Sequence, residues 1–339
     1  MNPEPADWLL RGVATVAFSA LLCALLIVVL RPVLERYALA RPNARSSHKT
    51  PTPQGGGIAV VAAVIVASYG AIHFSAAAAA AGPLLGVLAA AILIACLGTA
   101  DDIRPIEVVP RLLLQGLAVA LVIYTLPQEL RIVPLLPWWI ERILLLIGGL
   151  WFVNLVNFMD GLDLMTVVEV VPITAALALA GGLGVLPPQA TAVALSLCGA
   201  MIGFAYFNRP VARLFLGDVG SLPIGLLVGW LLLLLAARGH LAAAIVLPLY
   251  YLADATITLF RRLFRGEPFW QAHRSHFYQL ATDRGFTVRQ VVVRVFILNL
   301  ALAALAIATV KLAGFDMVAL VTGAILVAFL LFVFAGGKK

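Results

Sequence analysis

GPLLGVLAAAILIACLGTADDIRP, residues 82–105, is apolar for most of its length and then stops on two adjacent carboxylates, Asp101 and Asp102. An apolar run of this kind approaches the ~20 residues that carry a helix across a bilayer. The pattern recurs along the chain. Of 339 residues, 63% are hydrophobic and 12% charged, with a mean hydropathy of +1.06, whereas a soluble domain carries about 25% charged residues. In lipid the backbone has to satisfy its own hydrogen bonds, and Leu, Ala, Val and Ile runs do so as helices. The expected fold is therefore all-α: a polytopic helical membrane protein, a single integral-membrane domain over residues 1–339.

Candidate spans fall at 9–30, 56–74, 84–99, 110–127, 139–156, 165–182, 190–207, 219–237, 240–260, 290–310 and 315–335. That is about eleven transmembrane helices, or ten if the short, alanine-rich third does not cross. The first is expected to be retained as an anchor, because no A-x-A exit follows it. The formal charge is +7. Only Arg11, Arg131, Arg142, Arg238 and Lys311 of the 23 Lys and Arg fall on one side of this arrangement. The positive-inside rule then puts the N-terminus in the periplasm and the C-terminus in the cytoplasm. The positive charge reads as topology and leaves no case for nucleic acid. The three cysteines lie in apolar runs without metal-binding spacing and read as buried thiols.

Five connections are expected on the cytoplasmic side: 31–57, 100–109, 157–164, 208–218 and 261–289. They hold most of the polar residues that could do chemistry. Asp101 and Asp102 close the third span, where the helix dipole disfavours acids. Neighbours on a helix point about 100° apart, so the two carboxylates are expected to serve different partners. NLVNFMDGLDLM, residues 154–165, places Asn154 with Asn157 and Asp160 with Asp163 at a spacing of three, a pattern suited to a nucleotide, sugar or metal. In FLGDVGSLPIG, residues 215–225, Asp218 stands between two glycines at a helix start, where backbone amides can receive phosphate and the carboxylate can hold its escorting Mg2+.

RGEPFWQAHRSHFYQ, residues 265–279, gathers Arg265, His273, Arg274 and His276, a group able to contact phosphate. Two histidines without a nearby cysteine make a poor zinc site. SSHKTPTPQGGG, residues 46–57, adds His48 and Lys49 ahead of a glycine triplet that permits close packing, which favours a pocket-lining loop. Asp254 lies within the ninth span, where an ionisable side chain is either functional or paired with a neighbouring arginine.

In their order and separation, SSHKTPTPQGGG, TADDIRP, NLVNFMDGLD, FLGDVGSLPIG and AHRSHFYQ resemble the motifs of the polyprenyl-phosphate N-acetylhexosamine-1-phosphate transferase superfamily, glycosyltransferase family 4. Within it, the S-S-H-x-x-P-T-P-x-G-G-G opening and the H-R-S-H loop look most like the bacterial branch that initiates O-antigen or related polysaccharides. The resemblance implies an inner-membrane enzyme, active on the cytoplasmic face, that joins a UDP-N-acetyl sugar to undecaprenyl phosphate with release of UMP. The donor would be UDP-GlcNAc or a 6-deoxy relative such as UDP-FucNAc or UDP-QuiNAc. It implies Mg2+, with Mn2+ as an alternative, and a homodimer as a candidate assembly.

Carried across residue by residue, the resemblance makes Asp101, Asp102 and Asp218 catalytic, with Asp218 the metal ligand and Asp102 a second candidate. His48, Lys49, Asn154, Asn157, Asp160, Asp163, Arg265, His273, Arg274 and His276 become substrate-binding. Leu164 departs from the pattern, standing where many relatives have glycine. Rival readings are a transporter of an anionic solute and another membrane lipid-phosphate phosphotransferase; the first would need polar groups reachable from both faces.

Overall fold

A computed structural model describes residues 5–40, 51–74, 81–127, 129–267 and 273–336. His48 and Lys49 lie outside them. The described chain is almost wholly helical. Eight helices are long and apolar enough to cross a membrane by length and composition. They are α1 (Pro5–Tyr37), α3 (Ala81–Ile103), α5 (Trp138–Met159), α6 (Met165–Gly182), α7 (Pro188–Asn208), α8 (Asp218–Ala237), α12 (Val288–Lys311) and α13 (Asp316–Gly336). Two shorter apolar helices, α2 (Gly57–His73) and α4 (Val108–Tyr124), join them. The alanine-rich third segment is a full-length helix of 23 residues.

The ninth expected span, 240–260, is not one helix. It divides into α9 (Leu241–Val246) and α10 (Leu249–Phe264), with Pro248 at the join. Proline has no amide hydrogen to donate and its ring collides with the preceding turn. The break leaves α10 amphipathic: Tyr250, Tyr251, Asp254, Thr258 and Arg262 are buried, and Ile257, Phe260, Leu263 and Phe264 are exposed. The expected connections also shrink. α1 continues to Tyr37, α5 to Met159 and α10 to Phe264, and a short helix α11 (Phe277–Asp283) occupies part of 261–289.

Helix α8 is the centre of the bundle, packed against α3, α5, α2 and α9. In its most apolar window 89% of residues are buried, against 17% for α1. Side chains such as Leu10 and Leu21 on α1 are exposed, as a lipid-facing helix requires. At one end of α8 the chain forms a small backbone layer. β1 (Leu39–Ala40) pairs antiparallel with β2 (Thr52–Pro53), and the amides of Gly55, Gly56 and Gly57 donate to the carbonyls of Phe215 and Leu216. A Cβ on Gly57 would collide with the backbone of Gly220. The glycine triplet therefore lets α2 and α8 begin backbone against backbone, which draws together the ends that carry the acidic motifs.

Candidate active site

The last turn of α3, the last turn of α5 and the first turn of α8 meet at this end. Asp101 and Asp102 do face different partners. Asp101 accepts from the Ile106 amide at 2.6 Å and from the Arg111 guanidinium on α4 at 3.1 Å. Asp102 turns to α8. One oxygen accepts from the Asp218 amide at 3.0 Å, the other from the Val219 amide at 3.1 Å, and the Gln54 side-chain amide also donates to it. Asp102 thus caps α8 from 116 residues away. The acid that the dipole disfavours at the end of its own helix sits at the favourable start of another. The amides expected to receive phosphate are spent on this carboxylate.

The Asp218 carboxylate accepts from the Asn157 side chain at 2.7 Å, and Asn157 also donates to the Ser221 hydroxyl at 2.9 Å. Asp160 ends α5 and accepts from the Thr166 hydroxyl. Burial pushes Asp160 up to about 7; the Thr166 hydrogen bond opposes this, and the carboxylates of Asp218, Asp102 and Asp163 add to it. Asp101, Asp102, Asn157, Asp160 and Asp218 are all half-buried and remain open at this end.

Asn154 and Asp163 do not join them. Asn154 is buried and donates to Gln115 on α4 at 2.7 Å and to the Leu150 carbonyl. Asp163, also buried, accepts from the Ala212 amide at 3.0 Å and holds the 208–218 connection. Leu164 has φ +64° and ψ −1°, the left-handed conformation that glycine adopts freely and other residues adopt at a cost. The departure from glycine therefore keeps the backbone turn and adds strain to it.

The histidine motif reaches the cluster through α11. Asp254, fully buried, accepts from the Phe277 and Tyr278 amides at 3.0 and 3.2 Å, the Tyr250 and Thr258 hydroxyls at 3.3 Å, and pairs with His276 Nδ1 at 3.2 Å. Among the described residues its ring partner is thus His276, and no arginine is paired with it. Tyr278 donates to the Phe158 carbonyl at 3.2 Å, and its hydroxyl lies where a Cβ on Gly161 would stand, so α11 rests on the end of α5. His273 and His276 have ring centroids 4.8 Å apart. Arg274 pairs with Asp283 at 3.1 Å, and Arg265 is exposed at the end of α10.

Gln54, Arg111, Ser221 and Thr166 are the residues that the motifs alone did not single out. Each is an ordinary polar residue, and only its contact with an acidic motif marks it.

Among the described residues no three His, Cys, Asp or Glu side chains form a cage for a metal ion. Mg2+ rarely has such a cage; it is usually held by one or two carboxylates together with substrate phosphates and water. The crowded, half-buried acids suit that chemistry. Because Asp102 spends both oxygens on α8, Asp218 with Asp160 beside it is the better-matched pair.

Beneath the acids lies an apolar cavity of about 350 Å3 between α4, α5, α8, α9 and α10. Its wall includes Val153 and Gly225, one helical turn from Asn157 and Ser221.

Comparison with known proteins points the same way. Residues 84–236 match the model for glycosyl transferase family 4, a stretch that contains all four acids of the cluster and Asn157. The chain is 25% identical over 302 residues, 84% of its own length and 81% of the other's, to the probable undecaprenyl-phosphate N-acetylglucosaminyl 1-phosphate transferase of Bacillus subtilis (strain 168). It is 30% identical over 176 residues, 47% of its length and 48% of the other's, to the phospho-N-acetylmuramoyl-pentapeptide-transferase of Bartonella quintana (strain Toulouse). Residues 84–236, whose acidic motifs gather at one end of a helical bundle, are thus similar to glycosyl transferase family 4.

Proposed function

We propose that the protein transfers an N-acetylhexosamine-1-phosphate from a UDP-sugar to undecaprenyl phosphate, giving the undecaprenyl-diphosphate sugar and UMP. The observation that carries this reading is the convergence of Asp101, Asp102, Asp160 and Asp218 at one end of a bundle whose α5 and α8 line an apolar cavity about two helical turns further in. Such a site can receive a lipid that is apolar in its chain and anionic at its head. A transporter would need comparable polar groups accessible from the opposite end.

In the reaction an oxygen of the lipid phosphate attacks the β-phosphorus of the donor, the bond from that phosphorus to the bridging oxygen breaks, and UMP leaves. Both reactants are anionic, so charge is the main obstacle. Mg2+, when bound, offsets the charge of the donor diphosphate, and Asp218 with Asp160 would hold it. Asn157 fixes the rotamer of Asp218, and Asp102 fixes the first turn of α8 on which Asp218 stands. Asp101, anchored by Arg111, is assigned to orient the lipid phosphate. His273, beside His276, is assigned to the diphosphate.

The active end is assigned to the cytoplasmic face of a bacterial inner membrane, by the charge asymmetry of the connections. The donor is assigned to UDP-GlcNAc or a 6-deoxy relative, and the product to the start of a polysaccharide. The test is UMP release by purified protein in detergent with undecaprenyl phosphate and Mg2+, across UDP-GlcNAc, UDP-GalNAc and their 6-deoxy counterparts. Release with one donor, dependent on lipid and metal, is the expected result. Folded protein that releases no UMP with any of them overturns the reading.

A further inference from the structure

The opposite end of α5 holds a second charged cluster that plays no part in this chemistry. Arg142 lies 15 residues before Asn157, about 22 Å away along the helix. The residue is 9% exposed. Nη2 donates to the carbonyls of Pro127 and Leu130 at 3.2 and 3.1 Å, which fixes the guanidinium against the connection between α4 and α5. The Trp138 ring lies 5.4 Å from its central carbon. Nε and Nη1 are buried and have no hydrogen-bond partner among the described residues. Together they carry three of the five N–H donors of the group. Leaving such donors unmatched in a low-dielectric setting is costly.

Among the described residues no carboxylate is hydrogen-bonded to them. Along residues 124–146 the acids are Glu129, exposed on the connection, and Glu141. Glu141 is engaged by Arg131 and by the amides of Ile132 and Val133 at 2.7 and 2.8 Å. Arg142 is therefore a buried cation with no ion-pair partner among the described residues. It lines a cavity of about 360 Å3 whose other walls, among them Ile123, Tyr124, Ile143 and Leu146, are apolar and aromatic. Of its lining residues Tyr124 is largely exposed and Trp138 about half exposed, as side chains at a membrane interface are.

We propose that this cavity is a binding site for an anionic phospholipid of the leaflet opposite the active site. The headgroup phosphate takes the unspent donors of Arg142 once the Trp138 ring swings aside, and an acyl chain lies along Ile143 and Leu146. Arginine suits phosphate because its planar fork offers several charge-assisted hydrogen bonds. The apolar wall selects a lipid over a free anion. The site does not depend on which sugar or acceptor the active site uses.

Native mass spectrometry of the full chain in detergent tests this, with phosphatidylglycerol, phosphatidylcholine and inorganic phosphate as probes. Phosphatidylglycerol should bind roughly fivefold more tightly than phosphatidylcholine, the increment of one basic residue facing an anionic lipid, and phosphate alone should not bind. Arg142→Gln should abolish the preference. Leu146→Trp fills the cavity without altering the guanidinium, should weaken binding of the lipid, and serves if the first variant does not fold. Equal binding of the two lipids, or a preference that survives both substitutions, overturns the proposal; inorganic phosphate binding as well as phosphatidylglycerol overturns the lipid assignment.

Discussion

The two ends of α5 treat ionisable side chains in opposite ways. At the start, Glu141 is almost fully buried yet matched by one guanidinium and two backbone amides. At the finish, Asp160 shares a half-open space with Asp102 and Asp218 and gains mainly repulsion from them. One acid is neutralised by its own protein; the others leave room for a cation and an anion that the protein does not supply. Like charges crowded together at an open end mark a place of work, whereas a buried acid matched by a guanidinium marks a joint.

The comparison breaks most severely at Asp218. Asp218→Asn should lower turnover by about 10²- to 10³-fold, the usual scale for losing one transition-state electrostatic partner, while circular dichroism and thermal unfolding stay close to those of the parent. A rate within a few-fold of the parent would remove Asp218 from the metal site. Glu141→Gln should do the reverse. It should cost about 3 kcal/mol of stability, because Arg131 loses its buried partner, and leave turnover per folded molecule unchanged.

A smaller effect tests the repulsion itself. The pKa of Asp160 stands at about 7 in the fold, above the value for an exposed carboxyl. Its protonated form is therefore favoured by folding, and the folded state binds the extra proton between these two values. Stability falls as pH rises through that interval and the full penalty is present above about pH 7. Asp160→Asn removes the penalty, so metal-free variant and parent should differ more in melting temperature at pH 8 than at pH 4, with the variant gaining at pH 8. A pH-independent difference would contradict the crowding. The smallest effect is expected at Leu164→Gly, which relieves a left-handed backbone at the expense of side-chain contacts. The strain term favours the variant by about 1 kcal/mol, measurable by denaturant unfolding.

Much of this was legible in the chain. Charged residues stand out in apolar sequence, so the acidic motifs and the edges of α6, Met165 and Gly182, could be read directly. The break at Pro248 could not be read from hydropathy, since apolar composition continues across it. Nor does proline alone announce a break: Pro172 and Pro223 lie inside the continuous helices α6 and α8. Partners were harder still. Asn154 and Asn157 share a spacing but serve α4 and α8 respectively, because the choice depends on which helix lies across from each turn. The role of Asp102 was hidden because its main partners are backbone amides, which every residue possesses.

The five contacts gathered on Asp254 have a consequence for how this protein can vary. His276 takes its place from a carboxylate on α10 and from the helix that follows it. A slide of α10 along its own axis would therefore carry the histidine with it, so the break at Pro248 frees the register of α10 to set the height of a polar motif more than twenty residues further along the chain.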